Sequence, residues 1–165
     1  MAKVTLHSNP FNTYGDLFKV GEQAKNFSLV KNDLSEATLE SYTGKRKVLN
    51  IFPSVDTGTC ATSVRTFNKK AAELKNTVVL NISADLPFAQ ARFCGVEGIQ
   101  NAETLSSFRS SFAKDFQLEF IDGPLKGLCS RVVIVLDEKN KIIYSEQVTE
   151  IADEPNYQKA LEALS

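Results

Sequence analysis

Cys60 closes the run Pro53-Ser54-Val55-Asp56-Thr57-Gly58-Thr59-Cys60, where an apolar strand gives way to a helix. Val48-Leu49-Asn50-Ile51-Phe52 reads as a short buried strand, and Pro53 stops it because proline cannot donate to a ladder. Downstream, Val64, Phe67, Ala71 and Leu74 recur at helical spacing, with Cys60 on the same stripe. Thr57 or Thr59 can cap that helix, which puts Cys60 in its first turn. Unpaired N–H groups and the helix dipole favour an anion there, so Cys60 is a candidate thiolate. A buried structural cysteine is the competing reading.

Other cysteine chemistries find fewer of their parts. A cysteine–histidine dyad needs an imidazole base, and the one histidine, His7, falls in an N-terminal strand. Arg65 follows the cysteine in Cys60-Ala61-Thr62-Ser63-Val64-Arg65, but a loop that wraps phosphate also wants glycines, and the helix stripe begins at once. Ser63 occupies the place where a Cys-x-x-Cys pair would have its second thiol. Cys60, Cys94, Cys129 and one histidine are too few and too scattered for a zinc site. A single activated thiolate remains, with a second cysteine at a distance.

The rest of the chain must position that thiol. At 165 residues it is expected to form one domain over 1–165, large enough for a core without staples. A formal net charge of −1 with interspersed signs gives no reason to expect nucleic acid or a membrane surface as partner. The N-terminus is polar within a few residues, so no signal peptide is expected. Val132 to Leu136, the longest apolar run, is too short to span a bilayer. The expectation is a cytoplasmic protein with reduced thiols, any disulfide being transient and catalytic.

Element by element, Val4-Thr5-Leu6 and a segment around Gly15 flank the turn-prone Ser8-Asn9-Pro10, which predicts a small hairpin. Phe27-Ser28-Leu29-Val30 reads as a strand, and Leu39 to Tyr42 as a short helix. Strand 48–52, a helix over about 60–75 and strand 78–82 have the pattern of a parallel crossover unit. A helix follows Pro87 and carries Cys94; Phe108, Phe112 and Phe116 mark another, as core packing. Val132 to Leu136 and Ile142 to Tyr144 predict a hairpin, and Pro155 opens a C-terminal helix to Leu164. The sum is an α/β layered domain with a mixed sheet.

Pro53-x-x-x-Thr57-x-x-Cys60 resembles the active-site motif of the peroxiredoxins. The longer string through Ala61-Thr62-Ser63-Val64-Arg65 to Phe67-Asn68 is similar to the bacterial thiol peroxidases, an atypical two-cysteine branch of that family. The likeness continues at Arg92-Phe93-Cys94, Glu97-Gly98-Ile99, Gly123-Pro124-Leu125, Gly127-Leu128, Arg131, Val135-Leu136-Asp137, Glu150-Ile151 and Glu154-Pro155. It starts at Val4-Thr5-Leu6 and covers nearly the whole chain. The resemblance implies a thioredoxin-like fold, a central mixed sheet flanked by helices, with the N-terminal β-hairpin as an extension.

It also implies roles. Cys60 matches the peroxidatic cysteine, whose thiolate takes the terminal peroxide oxygen and becomes a sulfenic acid. Cys94 matches the resolving cysteine, which condenses with it to an intrachain disulfide. Thr57 matches the hydroxyl that holds the peroxide, Pro53 the ring that shields the sulfur, and Arg131 the guanidinium that stabilises the thiolate. Without the resemblance, Thr57 reads as a helix cap and Arg131 as an exposed strand-end charge. The implied substrates are hydrogen peroxide and organic hydroperoxides, the reductant thioredoxin and the assembly a homodimer, with no metal or organic cofactor. A redox sensor using the same cysteine pair is the non-enzyme alternative.

Thiolate supply cannot be the whole task. An unperturbed thiol of pKa ~8.5 is roughly 3% ionised at pH 7, and a pKa near ~6 raises that to roughly 90%. The gain is about thirtyfold, and a lower pKa also makes a poorer nucleophile. Donors aimed at the breaking O–O bond can contribute about a hundredfold or more each, and the motif offers Thr57 and Arg131. Three positions depart from the family pattern: Lys25 where proline is expected after Ala24, Thr59 where a small apolar residue is usual, and Cys129, which has no role and reads as a small buried hydrophobe.

Overall fold

The structure, a computed structural model, describes residues 2–165; Met1 and any reading of it lie outside. Its framework grows from alternation in β5 (Arg46–Ile51). Leu49 and Ile51 face one side of the sheet and pack with Leu80, Ile82, Leu105 and Ile134; Val48 faces the other, with Phe67, Val79 and Val133. Both faces are therefore covered, as central parallel strands require. β5 pairs in parallel with β6 (Thr77–Ser83), and β6 in parallel with β7 (Glu103–Ser106). Beyond β5, β8 (Val132–Leu136) runs antiparallel and forms the expected hairpin with β9 (Ile142–Gln147). The short strands β3 (Leu29–Val30) and β4 (Glu36–Ala37) close the far edge, giving the order β4-β3-β7-β6-β5-β8-β9.

Helix α1 (Gly58–Ala71) joins β5 to β6, and α2 (Pro87–Glu97) joins β6 to β7. Pro87 sits at the first position of α2, where its missing N–H costs nothing, and Gly98 ends the helix in a left-handed conformation (φ 68). The mixed sheet flanked by helices agrees with the α/β thioredoxin-like reading.

Several local expectations shift. The N-terminal hairpin pairs β1 (Lys3–Leu6) with β2 (Asn9–Asn12), so Asn9 and Pro10 are strand residues and Gly15 lies outside. The turn is His7-Ser8, both at positive φ (50 and 69) as a two-residue I′ turn requires, without the glycine or asparagine that would announce it. Pro10 is tolerated because β2 is an edge. The expected helix through Phe108, Phe112 and Phe116 is a single turn, α3 (Phe112–Asp115). Phe112 and Phe116 stack in the core at 4.4 Å between ring centroids, whereas Phe108 is exposed in the preceding turn. The C-terminal helix α4 (Tyr157–Glu162) starts after Pro155, capped by the Asn156 side chain, which accepts from the Lys159 N–H.

Candidate active site

Cys60 is the third residue of α1 and fully buried, among Phe52, Val55, Val64 and Phe93. Burial in such a pocket disfavours a thiolate unless a positive partner comes with it. The partner is Arg131, just before β8, whose Nη2 lies 3.3 Å from Cys60 Sγ. Arg131 is only 2% exposed, so it is not the exposed strand-end charge that its position alone suggested. Its Nε donates to the Ile151 carbonyl at 2.9 Å, which aims the guanidinium plane. Among the described residues, Nη1 has no hydrogen-bond partner. A buried guanidinium with a donor left over beside a sulfur has the chemistry to bind an anion or an oxygen acceptor.

Thr57 is the N-cap residue of α1, but its hydroxyl does not cap. It donates instead to the Ser54 carbonyl at 3.1 Å, on an exposed edge of the loop. Pro53 is buried after the end of β5. An open groove of about 330 Å³ runs along this loop, lined by Val55, Thr57, Ala61, Arg65, Arg92 and Phe93. The loop and the first turn of α1 thus carry Pro53, Thr57 and Cys60 in sequence, and Arg131 meets them at the Cys60 sulfur.

Cys94 packs at the margin of the same apolar cluster, but its thiol is engaged with β7. It is half-buried on α2, its Sγ 3.4 Å from the Thr104 hydroxyl of β7, and it lines a separate cavity of about 380 Å³. Thr104 and Arg131 belong to strand positions separated by the two intervening strands β6 and β5. At ~4.8 Å per spacing those strand lines are roughly 14 Å apart. All three cysteines are free thiols. Cys129 is fully enclosed, and burial, only partly offset by the Ser107 hydroxyl, pushes its thiol up to about 12.

Three supports were not assigned from the sequence. The Asp85 carboxylate accepts from the Ser54 hydroxyl (2.7 Å), the Val55 N–H (2.9 Å) and the Ser83 hydroxyl (2.6 Å), pinning the Cys60 loop to the segment that enters α2. An aspartate two residues before a proline that opens a helix was the available signal. Glu150 gathers the Thr5 hydroxyl (2.6 Å) and the His7 N–H (2.9 Å), tying the N-terminal hairpin to the segment that carries Ile151. Ser63 donates to the Cys60 carbonyl at 2.8 Å and is itself held by Asn50, which also bonds Asn81. No sequence spacing announces such contacts.

Comparison with known proteins gives a consistent picture. The Redoxin family matches residues 19–161. A thiol peroxidase of Corynebacterium glutamicum is 51% identical over 165 residues, all of both chains. A crystal structure of a peroxiredoxin-like protein from Aquifex aeolicus superposes with a TM-score of 0.93 at 34% identity, covering 99% of this chain and 96% of that one. A thiol peroxidase from Chromobacterium violaceum, at 24% identity, shares the fold with a TM-score of 0.91 over 98% of this chain and 94% of its own. Among the described residues, no helix is long and apolar enough to cross a membrane.

Proposed function

The chain belongs to the redoxin family and is a peroxidase of the thiol peroxidase kind, and from that premise we propose a two-cysteine cycle for it. The Cys60 thiolate attacks the terminal oxygen of a hydroperoxide; an S–O bond forms, the O–O bond breaks, and the leaving oxygen takes a proton to depart as water or alcohol. Cys94 sulfur then attacks the sulfenic sulfur, water leaves, and an intrachain disulfide closes. A thioredoxin dithiol reduces that disulfide and returns both thiols. Organic hydroperoxides are the favoured substrates alongside hydrogen peroxide, and the working unit is a cytoplasmic homodimer of one domain per chain.

The observation that carries this reading is the buried 3.3 Å approach of Arg131 Nη2 to Cys60 Sγ. It supplies a cation to the thiolate, and the unpartnered Nη1 is left to meet the peroxide oxygens. Pro53, buried beside the loop, keeps water from the sulfur, and the Thr57 hydroxyl orients the peroxide at the groove. Cys94 is engaged with Thr104 and both thiols are free, so in this cycle Cys94 leaves that place to reach Cys60 and part of α2 unwinds as it does so.

The test is peroxide consumption with thioredoxin and its reductase. Wild type should turn over many times per subunit; stoichiometric oxidation that then stalls would favour a redox sensor instead. Cys60→Ser should be inactive, because an alcohol has almost no anionic fraction at neutral pH. Cys94→Ser should keep the first oxidation and lose thioredoxin-supported turnover. Full activity of Cys94→Ser would overturn the intrachain disulfide.

A further inference from the structure

Thr59 stands immediately before the Cys60 sulfur, in the first turn of α1. Its hydroxyl does not turn toward Cys60. It donates to the Ala152 carbonyl at 2.8 Å, across to the segment that follows β9. That segment is the one on which Arg131 depends: the neighbouring Ile151 carbonyl accepts from Arg131 Nε at 2.9 Å, and Arg131 Nη2 reaches Cys60 Sγ at 3.3 Å.

We propose that Thr59 is a positioning residue, closing a ring from the first turn of α1 through Ala152 and Ile151 to Arg131 and back to the Cys60 sulfur. The proposal rests on the role assigned above to Arg131. The other side of the segment is already fixed by the N-terminal hairpin. The Thr5 N–H donates to the Thr149 carbonyl and the Ile151 N–H to the Thr5 carbonyl, both at 2.7 Å. Ile151 itself is buried with Val4 and Phe120. The Thr59 hydroxyl supplies a side-chain hydrogen bond that ties that braced segment to the helix bearing the nucleophile. Without the tie, the first turn of α1 is joined to that segment through the Arg131 contact itself and, two turns further along the helix, through Phe67 packing on Tyr157. A guanidinium–sulfur contact loses alignment within a few tenths of an ångström.

The test is a cycle of Thr59→Val, Thr59→Ser and Arg131→Met, alone and combined, on the full chain. The second-order rate of Cys60 oxidation by hydrogen peroxide is read by quench-flow and intact mass, with melting temperature as a control for folding. A hydrogen bond of ordinary strength corresponds to about a fivefold rate change. Thr59→Val should slow oxidation by about that factor and move the pH profile of Cys60 alkylation upward, and Thr59→Ser should restore both. In the Arg131→Met background Thr59→Val should cost nothing further, because its effect passes through the arginine. Equal losses in both backgrounds would make Thr59 merely structural and overturn the proposal. So would an unchanged rate in Thr59→Val while Arg131→Met is slow. A normal rate in Arg131→Met would overturn both this proposal and the role given to Arg131, a result that separates the two failures.

Discussion

Replacing Gly95 by alanine tests whether α2 must open before the two cysteines join. Gly95 lies inside α2, next to Cys94 and exposed, and an added Cβ would meet nothing within 4 Å. The substitution therefore changes helix stability with no new contact. Alanine favours a helix interior over glycine by about 1 kcal/mol, in part because the unwound chain has fewer conformations to regain. If α2 opens in rapid equilibrium before sulfur attack, its open population falls about fivefold, and disulfide formation slows by the same factor. Oxidation of Cys60, which needs no movement of α2, should keep its rate. The chain has no tryptophan, so the steps are best followed by mass: one equivalent of peroxide, quenching at intervals, and separate tagging of thiol and sulfenic acid. Hydrogen exchange over residues 88–98 should be slower in reduced Gly95→Ala than in reduced wild type, and in wild type it should rise on oxidation. A helix measurably stabilised by Gly95→Ala, with disulfide formation unchanged, would refute the idea that unwinding comes first.

Arg131→Met removes a charge-assisted bond worth about 1.5–3 kcal/mol, so oxidation at neutral pH should fall about 10- to 150-fold. The loss should exceed the accompanying loss of alkylation rate; equal losses would leave the arginine no part in breaking the O–O bond. Cys129, buried and with its thiol pushed up to about 12, should resist alkylation at pH 8 in the native protein and react only on unfolding, as mass spectrometry of labelled peptides can show. The Glu150 carboxyl is held down from 4.5 to about 2, first by the Thr5 hydroxyl and then by the His7 N–H. A depressed carboxyl stabilises the fold above its unfolded value and loses that contribution as pH falls through its folded one. Hairpin attachment should therefore weaken between about pH 4.5 and 2, and Glu150→Gln should flatten that part of the acid-melting profile.

What was legible in the sequence followed from periodicity and from one motif. Val48 to Ile51, the stripe Cys60, Val64, Phe67, and Pro87 at the head of α2 each carry a signal local enough to read directly. The grouping of Cys60 with Arg131 came from family likeness, since no spacing links residues on α1 and at the start of β8. Position alone favoured an exposed charge at Arg131, and the buried ring of contacts overrode it. The His7-Ser8 turn was missed because neither residue type advertises positive φ, and Phe108 because an apolar spacing of four continues past the end of a single helical turn. Asp85 and Glu150 act through partners distant in the chain, a kind of contact that sequence pattern does not encode.

Of the side chains on α2 only Pro87, Gln90 and Phe93 are buried, and Gln90 is held by polar contacts to Ser83 and the Leu105 carbonyl. So light a seat has a consequence for survival under oxidant. In the proposed cycle the sulfenic acid on Cys60 would wait for Cys94, and a second peroxide could meanwhile carry it on to the sulfinic acid, from which ordinary thiols do not rescue it. If α2 opens before the cysteines join, the waiting time would be set by how readily it lets go, and the shallow burial of one helix would set the peroxide dose at which the protein begins to inactivate itself. Any substitution that makes α2 more durable would then lower that dose, and a sturdier fold would be a shorter-lived enzyme.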